Sequence, residues 1–297
     1  MKHNDYLQRL VFEELDARCV YVSLERVVAE VLAKDDYPLP VAELLGQGLL
    51  VAAALSSGIK FDGRVSLQLQ SGGALKLLVA DCTHEGGLRA IAKCEEGASL
   101  PASPEALWTE LSGDGVLTLT LEPADGGQRW QGIVPLEGPS LARAIEAYFE
   151  RSEQLVTRLA LAFDGGVGKA LMIQQMPPSG NDTVDEDGWN RLEHLVATVG
   201  SQELLQTTGE EMLNRLFHED PRRLFPARPL QFFCPCSRDR VLDLLGSLGA
   251  AELNALFAIQ DVVEVRCQFC NHAYEFEQDD LGELIDPSQP GGSQTLH

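Results

Sequence analysis

Four cysteines in the last quarter of the chain have the spacing of a metal site. Cys234 and Cys236 are separated by one residue, Cys267 and Cys270 by two, and thirty residues lie between the two pairs. Zn²⁺ prefers four tetrahedral soft donors, and structural sites commonly take two ligands from each of two short loops. The spacing therefore predicts one four-cysteine zinc site, with two separate redox dithiols or buried core thiols as the alternatives. Four sulfurs would fill the coordination sphere, so catalytic zinc is not expected.

The same sulfurs offer redox chemistry once they are held as thiolates. Zinc keeps cysteines deprotonated, and the thiolate is the form that oxidants attack. Oxidation to disulfides would remove the donors together with the folding energy of metal binding, about 10–16 kcal/mol in small zinc units. A unit of about fifty-five residues has little core of its own. The chemistry therefore indicates a unit whose folding depends on its redox state.

The local sequence indicates how the cysteines are positioned. Val263 and Val265 alternate with polar residues before the C-x-x-C pair, and Tyr274 and Phe276 do so after it. This pattern predicts a β-hairpin with the second pair in its turn. Ser237 follows the first pair at a position that can N-cap a helix. The apolar residues of that helix that are expected to pack inward are Val241, Leu244, Leu245 and Leu248.

The rest of the chain predicts an α+β fold. Helical periodicity in the apolar stretch from Pro40 to Gly58 gives way to period-two runs separated by Gly pairs, which indicates a mixed domain with antiparallel-rich sheets. A first helix is expected over Leu24–Leu32, with Ser23 as its N-cap. Beyond Pro177, breakers and an acidic run precede amphipathic helical pieces that are too narrow to fold alone. The expected segments are an N-terminal core domain at 1–177, a helical linker at 178–231, a small C-terminal zinc-binding α+β domain at 232–286 and a disordered tail at 287–297.

Charge and composition argue against several classes of function. The chain carries 23 Lys and Arg against 45 Asp and Glu, a net charge of −22, and no lysine follows Lys169. Such a field repels phosphate backbones, so nucleic-acid binding is not expected. The N-terminal sequence lacks the apolar core of a signal peptide, and no window approaches about 18 uncharged apolar residues, so neither export nor membrane insertion is expected. In the expected cytoplasmic location, clustered pairs among seven cysteines point to metal or redox chemistry.

At the cysteines, the sequence resembles the family of thirty-three-kilodalton heat-shock proteins, which are redox-regulated holdase chaperones. The segment CPCSRDRV, followed by CQFC and AYEF, is similar to the C-x-C and C-x-x-C redox-switch domain of that family. The stretches IKFDGRVSLQLQ, GALKLLVADCT, QGIVPLEG and YFERSEQLVTRL resemble its N-terminal domain, and RLFHED leads into the switch as it does there. The resemblance covers nearly the whole chain, and all four cysteines of the family motif are present.

The resemblance implies a function and a mechanism. Reduced, zinc-bound protein is expected to be inactive. Peroxide combined with unfolding stress, or hypochlorite, is expected to release zinc and to form the disulfides Cys234–Cys236 and Cys267–Cys270. The switch domain and the linker then lose structure. The protein is then expected to dimerise, to bind unfolding clients without ATP, and to pass them to ATP-dependent foldases after reduction. No enzymatic activity is implied.

Other conspicuous residues are expected to be structural. Residues 165–170 resemble a phosphate loop, but Phe163 and Ala170 stand where its first glycine and its hydroxyl residue would be, so a glycine-rich turn between strands is expected. His272 is expected at the surface, because four cysteines already satisfy zinc. Buried structural thiols are expected at the cysteines in or beside apolar runs, which are Cys19, Cys82 and Cys94. Core positions are expected for the aromatic residues Trp108, Trp130, Phe149 and Phe163.

Two other functions stay open on the residues alone. A zinc-ribbon nucleic-acid-binding protein would need a basic face, which 8 basic against 21 acidic residues after Pro177 oppose. A thiol–disulfide oxidoreductase that uses Cys267 and Cys270 catalytically would turn over disulfide substrates and normally needs no second pair. The zinc-switched holdase is the preferred hypothesis once the resemblance is included.

Overall fold

Two compact units are present in the computed structural model, which describes residues 4–59, 62–177 and 187–282. The first unit spans Met1–Phe233 and the second Cys234–His297. Residues 178–186, which form most of the acidic boundary expected after Pro177, lie outside the described residues, as does the tail expected at 287–297. Both units combine helices with antiparallel strands, which confirms the α+β class.

Helices and strands of the first unit are only partly interleaved along the chain. Its strands are β1 (Tyr6–Phe12), β2 (Ala17–Leu24), β3 (Gly63–Gln70), β4 (Leu75–Thr83), β5 (Gly87–Cys94), β6 (Val116–Pro123), β7 (Trp130–Val134), β8 (Thr157–Asp164), β9 (Val167–Gln175), β10 (Arg223–Leu224), β11 (Arg228–Pro229) and β12 (Gln231–Phe232). Its helices are α1 (Arg26–Leu32), α2 (Leu39–Ser56), α3 (Pro104–Asp114), α4 (Leu141–Tyr148), α5 (Gly188–Ala197), α6 (Ser201–Gln206) and α7 (Gly209–Phe217), and a π-turn at Phe149–Glu153 extends α4.

Two sheets organise the first unit. In the first sheet the order is β10-β1-β2-β9-β8, β11 also pairs with β1, and the pairings are antiparallel. In the second sheet the order is β12-β5-β4-β3-β6-β7, and only β12 beside β5 is parallel among the described strands. The period-two runs of the sequence correspond to β3–β9, so the prediction of antiparallel-rich sheets is confirmed.

Helix α2 lies between the two sheets. It packs against β2, β8 and β9 of the first sheet and against β3, β4 and β5 of the second. Gly46 permits this approach, because a Cβ at that position would lie 2.1 Å from the ring of Phe163. By length and composition alone α2 could cross a membrane, so the expectation that no segment approaches such a window is wrong; 78% of the window is buried inside the protein. The apolar composition of α2 follows from its contact with core on nearly all sides.

Helices α5, α6 and α7 cover the opposite face of the first sheet. Side chains of these helices and of the sheet form a second hydrophobic core cluster between them. In this cluster the rings of Phe12 and Phe217 meet edge-to-face, with centroids 5.1 Å apart. Its main members are Leu10, Phe12, Cys19, Tyr21, Leu171 and Ile173 from the sheet and Leu192, Val196, Leu204, Met212, Leu213 and Phe217 from the helices. The amphipathic helices expected in WNRLEHLVATVG and EEMLNRLF are α5 and α7. The apolar face of this sheet is buried only while the helices stay on it.

A residue distant in sequence holds the start of α1. The sequence favoured Ser23 as the N-cap of this helix, but β2 continues through Leu24, so that expectation is wrong. The buried carboxylate of Asp5 accepts hydrogen bonds from the backbone N–H groups of residues 25–27, at 2.8 to 3.1 Å. These N–H groups have no partner within the helix, and Asp5 satisfies them in place of a local cap.

The second unit is a small α+β fold with little core. Its elements are α8 (Arg238–Gly246), α9 (Ala250–Phe257), β13 (Val262–Arg266) and β14 (Ala273–Glu277), followed by a 3-10 turn at Gln278–Leu281. Strands β13 and β14 form an antiparallel hairpin in which Val263 pairs with Phe276 and Val265 with Tyr274, which confirms the expected hairpin. The buried core side chains are Val241, Leu245, Leu253, Phe276 and Leu281.

Helix α8 contributes fewer residues to this core than the sequence indicated. Val241 and Leu245, four residues apart on one face of the helix, are buried. Leu244 is 59% exposed and Leu248, beyond the end of the helix, is 43% exposed, so the expected inward packing of these two residues is wrong. A core of this size accommodates only a narrow stripe of α8.

Candidate metal centre

The four cysteine sulfurs of the second unit lie together. Their Sγ atoms are all within 4.8 Å of one another, with Cys234 Sγ 3.6 Å from Cys267 Sγ and Cys236 Sγ 3.4 Å from Cys270 Sγ. The first pair comes from the segment before α8, and the second from the turn between β13 and β14. Within the described part of the chain, no other group of three or more His, Cys, Asp or Glu side chains is arranged to hold a metal ion.

The arrangement of the sulfurs fits a tetrahedral metal ion. With Zn–S bonds of about 2.3 Å, the edges of a regular tetrahedron of sulfurs are about 3.8 Å long. The observed S–S distances of 3.4 and 3.6 Å are close to that value. All four cysteines are half-buried, so an ion held there would be largely shielded from water yet within reach of a small oxidant. The cluster could hold a metal ion, and its sulfur donors suit Zn²⁺.

A tight turn positions the second pair. The backbone N–H of Cys267 donates to the carbonyl of His272 at 2.9 Å, and the N–H of Asn271 donates to the carbonyl of Cys267 at 2.8 Å. Asn271 has a φ of 60°, in the left-handed region that Asn adopts more readily than most residues. The turn thus reverses the chain between the two strands and brings both sulfurs of the pair into the cluster.

Ser237 and two arginines position the first pair. The Ser237 hydroxyl accepts a hydrogen bond from the N–H of Arg240 at 3.3 Å, which confirms Ser237 as the N-cap of α8. The Arg240 guanidinium donates to the carbonyl of Pro235, between the two cysteines, at 2.8 Å. Arg238 lies over the ring of Phe276, 4.3 Å from its centroid, and so joins the start of α8 to the hairpin.

The cysteines experience different local fields. Burial raises the pKa of Cys234 and raises that of Cys270 to about 12. Burial also acts on Cys267, but the backbone N–H groups of Cys270 and Phe269 donate to its sulfur and bring its pKa below the ordinary value. The turn of the second pair therefore favours the thiolate form of Cys267.

A tyrosine hydroxyl contacts the cluster. Tyr274, on β14, donates a hydrogen bond to Cys236 Sγ at 3.2 Å, and this bond raises the pKa of Tyr274 to about 12. The ring of Tyr274 meets that of His272 edge-to-face, with centroids 4.6 Å apart. His272 is exposed, as expected. Sequence reasoning placed Tyr274 on the hairpin but missed its contact with a cysteine, because only the folded hairpin sets that distance.

The cysteines of the first unit are separate from the cluster. Cys19 and Cys82 are buried, as expected, and burial raises the pKa of Cys82 to about 11. Cys94 is exposed, so the expectation of a buried thiol is wrong there. It is the last residue of β5, where the strand leaves the core.

The other sequence candidates have structural positions. Residues 165–170 form the turn between β8 and β9 and the start of β9, which confirms the expected glycine-rich turn. Trp108 belongs to the core between the sheets, and Phe149 and Phe163 pack against that core. Trp130 is 38% exposed on β7, so a core position is wrong for this residue; β7 is an edge strand of the second sheet.

Comparison with known proteins identifies the family. The family model described as "Hsp33 protein" matches residues 5–277. This chain belongs to the Hsp33 family. Among its Hsp33 relatives, the 33 kDa chaperonin of Pseudomonas paraeruginosa (strain DSM 24068 / PA7) is 41% identical over 301 residues, covering 100% of both chains. The 33 kDa chaperonin of Pseudomonas syringae pv. tomato is 42% identical over 284 residues, which are 95% of this chain and 93% of the relative.

A solved Hsp33 structure has the same fold. The crystal structure of the 33 kDa chaperonin from Thermotoga maritima aligns with a TM-score of 0.80 at 22% sequence identity. The alignment covers 95% of this chain and 98% of that one. This likeness establishes the fold of the present Hsp33 family member, and the full-length relatives support a chaperone function.

Proposed function

We propose that this Hsp33 family member is a redox-regulated, ATP-independent holdase that binds unfolding proteins and prevents their aggregation under oxidative stress. The observation that carries the proposal is the cluster of four Sγ atoms within 4.8 Å of one another, in a unit with a small described core. Family membership supports the chaperone activity, because the relatives are 33 kDa chaperonins. The cluster supports a switch, because metal ligation by thiolates couples the folding of a small unit to thiol chemistry.

In the reduced, inactive state we assign one zinc ion to Cys234, Cys236, Cys267 and Cys270. When bound, zinc keeps the sulfurs as thiolates and supplies a cross-link that the small core does not provide. The chain contributes the geometry: the hairpin turn presents the second pair, and the start of α8 holds the first. These contacts keep four donors close together.

Oxidation by hydrogen peroxide is proposed to open the switch. One thiolate attacks a peroxide oxygen, the O–O bond breaks, and the leaving hydroxide takes up a proton, so the sulfur loses two electrons and becomes a sulfenic acid. The second thiolate of the pair attacks that sulfur, forms the S–S bond and expels the oxygen, which leaves as water after protonation. We assign the disulfides within each pair, Cys234–Cys236 and Cys267–Cys270. Two disulfides no longer provide four anionic donors, so the folding contribution of metal ligation is lost.

Loss of structure is proposed to extend from the switch domain at 232–286 into the linker at 178–231. In the described part of the linker, α5, α6 and α7 lie on an apolar face of the first sheet, and α6 has only six residues. Short helices of this kind depend on tertiary packing. Their release would uncover Leu10, Phe12 and neighbouring residues of the core domain at 1–177, which are now buried. This face is the surface we infer for client binding.

The proposal includes partners and a location. The activated protein is proposed to dimerise, to hold unfolded or oxidatively damaged clients without ATP, and to pass them to ATP-dependent foldases after reduction. A net charge of −22 would keep a chain that exposes apolar surface in solution through self-repulsion. The cytoplasm is the proposed location, nucleic acids and membranes are not proposed partners, and no enzymatic turnover is assigned.

Client aggregation measured together with zinc content tests the proposal. Reduced protein is expected to carry one zinc per chain and to leave the light scattering of an unfolding client unchanged. After treatment with peroxide under mild heating, zinc is expected in solution, titratable thiols are expected to fall by about four, and scattering is expected to be suppressed. Equal suppression by both forms would remove the redox switch, and metal-free reduced protein would remove the zinc site.

A further inference from the structure

The sulfurs of the cluster differ in the groups that donate hydrogen bonds to them. Backbone N–H groups donate to Cys234, Cys267 and Cys270. Cys236 Sγ accepts the hydroxyl of Tyr274 at 3.2 Å. A side-chain donor can be removed by substitution without altering the backbone, so this contact can be examined separately from the fold of the two loops.

The position of the Tyr274 hydroxyl is set by the hairpin. Tyr274 pairs across the strands with Val265, and its ring packs against the core of the second unit. On its other side, the ring meets that of His272 at 4.6 Å, with 71° between the planes. A tyrosine side chain has only two torsions to fix, so these contacts hold the hydroxyl next to the sulfur at small entropic cost.

A hydrogen bond of this kind changes the chemistry of a thiolate. Bonds to an ionised acceptor are stronger than those between neutral groups. The donated proton draws electron density from the sulfur and occupies one of the lone pairs that would attack an oxidant. The bond stabilises the thiolate of Cys236, and it weakens as negative charge leaves the sulfur during attack on peroxide, which adds to the barrier at that sulfur.

We propose that Tyr274 is a positioning residue that restrains the oxidation of Cys236, so that its hydroxyl helps to set how much oxidant the cluster tolerates. The inference rests on the proposed redox function and adds to it a residue outside the four cysteines. The restrained step is the attack of the Cys236 thiolate on hydrogen peroxide. An S–O bond forms as the O–O bond breaks, the sulfur loses two electrons and becomes a sulfenic acid, and the leaving hydroxide is protonated to water.

Tyr274→Phe tests the inference in the full-length reduced protein. The variant keeps the ring and its packing and removes only the hydroxyl. With hydrogen peroxide as the oxidant and a sulfenic-acid-trapping reagent present, initial rates of modification are measured at each cysteine by mass spectrometry. Cys236 is expected to react about three- to tenfold faster, the range that corresponds to losing one ordinary hydrogen bond at a partly exposed site. The other three cysteines are expected to change less than about twofold.

A measurement of zinc affinity distinguishes a local effect of Tyr274 on Cys236 from a general loss of structure in the variant. Competition with a chelator is expected to give nearly the same affinity for wild type and Tyr274→Phe. The control is His272→Ala, which keeps the hydroxyl but removes the ring that packs on Tyr274, and it should raise the Cys236 rate less than Tyr274→Phe does. Faster oxidation of all four cysteines with weakened zinc binding in Tyr274→Phe would show a structural role and overturn the inference, as would an unchanged Cys236 rate.

A second substitution decides the case if Tyr274→Phe does not fold. Replacing Tyr274 with 3-fluorotyrosine leaves the hydroxyl in place and makes it a stronger donor, so Cys236 should react more slowly than in wild type. A faster or equal rate would overturn the inference. The rate at Cys236 can be compared whether or not the purified protein contains zinc, so failure of the proposed zinc switch and failure of this inference give different results.

Discussion

At the scale of single residues, the main feature of the candidate site is the negative charge that its four sulfurs carry when they are deprotonated. The four Sγ atoms lie within 4.8 Å of one another in a half-buried volume, so deprotonation of all four would place four negative charges there. Burial raises the pKa values of Cys234 and Cys270, so without a counter-charge these sulfurs keep their protons. A divalent cation reverses that preference, because each thiolate gains a metal–sulfur bond. The four sulfurs therefore act together as one metal site, and removal of any one of them weakens metal binding by the whole cluster.

Cys267→Ser is expected to weaken zinc binding sharply. A hydroxyl is a poor ligand at neutral pH, and the turn around Cys267 is built to favour a thiolate. Loss of a direct ligand should cost at least as much as the roughly 10- to 100-fold that is typical of losing a residue that only supports one. The measurement is zinc affinity by chelator competition, with Cys94→Ser as the matched control, because Cys94 is an exposed cysteine outside the cluster. Native affinity in Cys267→Ser would contradict the assigned coordination.

At the scale of elements, a strand with one buried face is the easiest to recognise in the sequence. Strand β3 alternates buried and more exposed residues along its length, and the period-two pattern of the sequence shows it. Strand β2 lies between two cores: Val20 and Val22 belong to one cluster and Cys19 and Tyr21 to the other. A strand buried on both faces does not alternate, so no period-two pattern marks β2, and β9, which is also buried on both faces, is recognisable only as an apolar run.

The same distinction applies to the candidate site. The alternation around the second pair predicted the hairpin, because its residues are close together in the chain. Two closely spaced cysteine pairs predicted the cluster, because zinc commonly takes two sulfur ligands from each of two short loops. The bond from Tyr274 to Cys236 and the capping of α1 by Asp5 join residues far apart in sequence. Distances of that kind are set by the packing of whole elements, which no local pattern contains.

Polar contacts hold α6 and α7 to the first sheet beside their apolar contacts. The buried ammonium of Lys169, on β9, donates to the carbonyls of Leu205 and Thr207, each at 2.7 Å. The hydroxyl of Tyr21 also donates to the Thr207 carbonyl, at 3.2 Å. These bonds attach the end of α6 and the residue that follows it to the strands. Their loss should therefore weaken the packing of α6 and α7 on the apolar face of the sheet.

Lys169→Met is expected to weaken the packing of α6 and α7 on the first sheet while the protein stays reduced. Two carbonyls would lose a charged donor, which corresponds to about 1–3 kcal/mol. Amide hydrogen exchange in α6 and α7 should accelerate, and a dye that fluoresces on exposed apolar surface should bind more strongly than to wild type. The control is Lys76→Met, which removes an exposed lysine paired with Glu95 in the second sheet. Unchanged exchange in Lys169→Met would show that apolar packing alone holds the helices.

At the scale of the whole molecule, the two units differ in the size of their cores. The first unit buries a large cluster around α2 and a second one under α5–α7. The described core of the second unit consists of Val241, Leu245, Leu253, Phe276 and Leu281. Burial of so few side chains does not offset the conformational entropy of ordering the chain. The second unit therefore needs a further source of stability, and metal ligation by the four cysteines can supply it.

Removing the metal from reduced, full-length protein should unfold the second unit and leave the first unit folded. A chelator added in the presence of a thiol reductant separates metal loss from disulfide formation. Amides of β13 and β14 are expected to lose their protection from hydrogen exchange, whereas those of α2 should retain it, because the core around α2 consists of residues of the first unit. Adding zinc back should restore protection in the hairpin. If β13 and β14 stayed protected in metal-free reduced protein, the second unit would fold without an ion, and oxidation of the cysteines would then have no metal-dependent folding energy to withdraw.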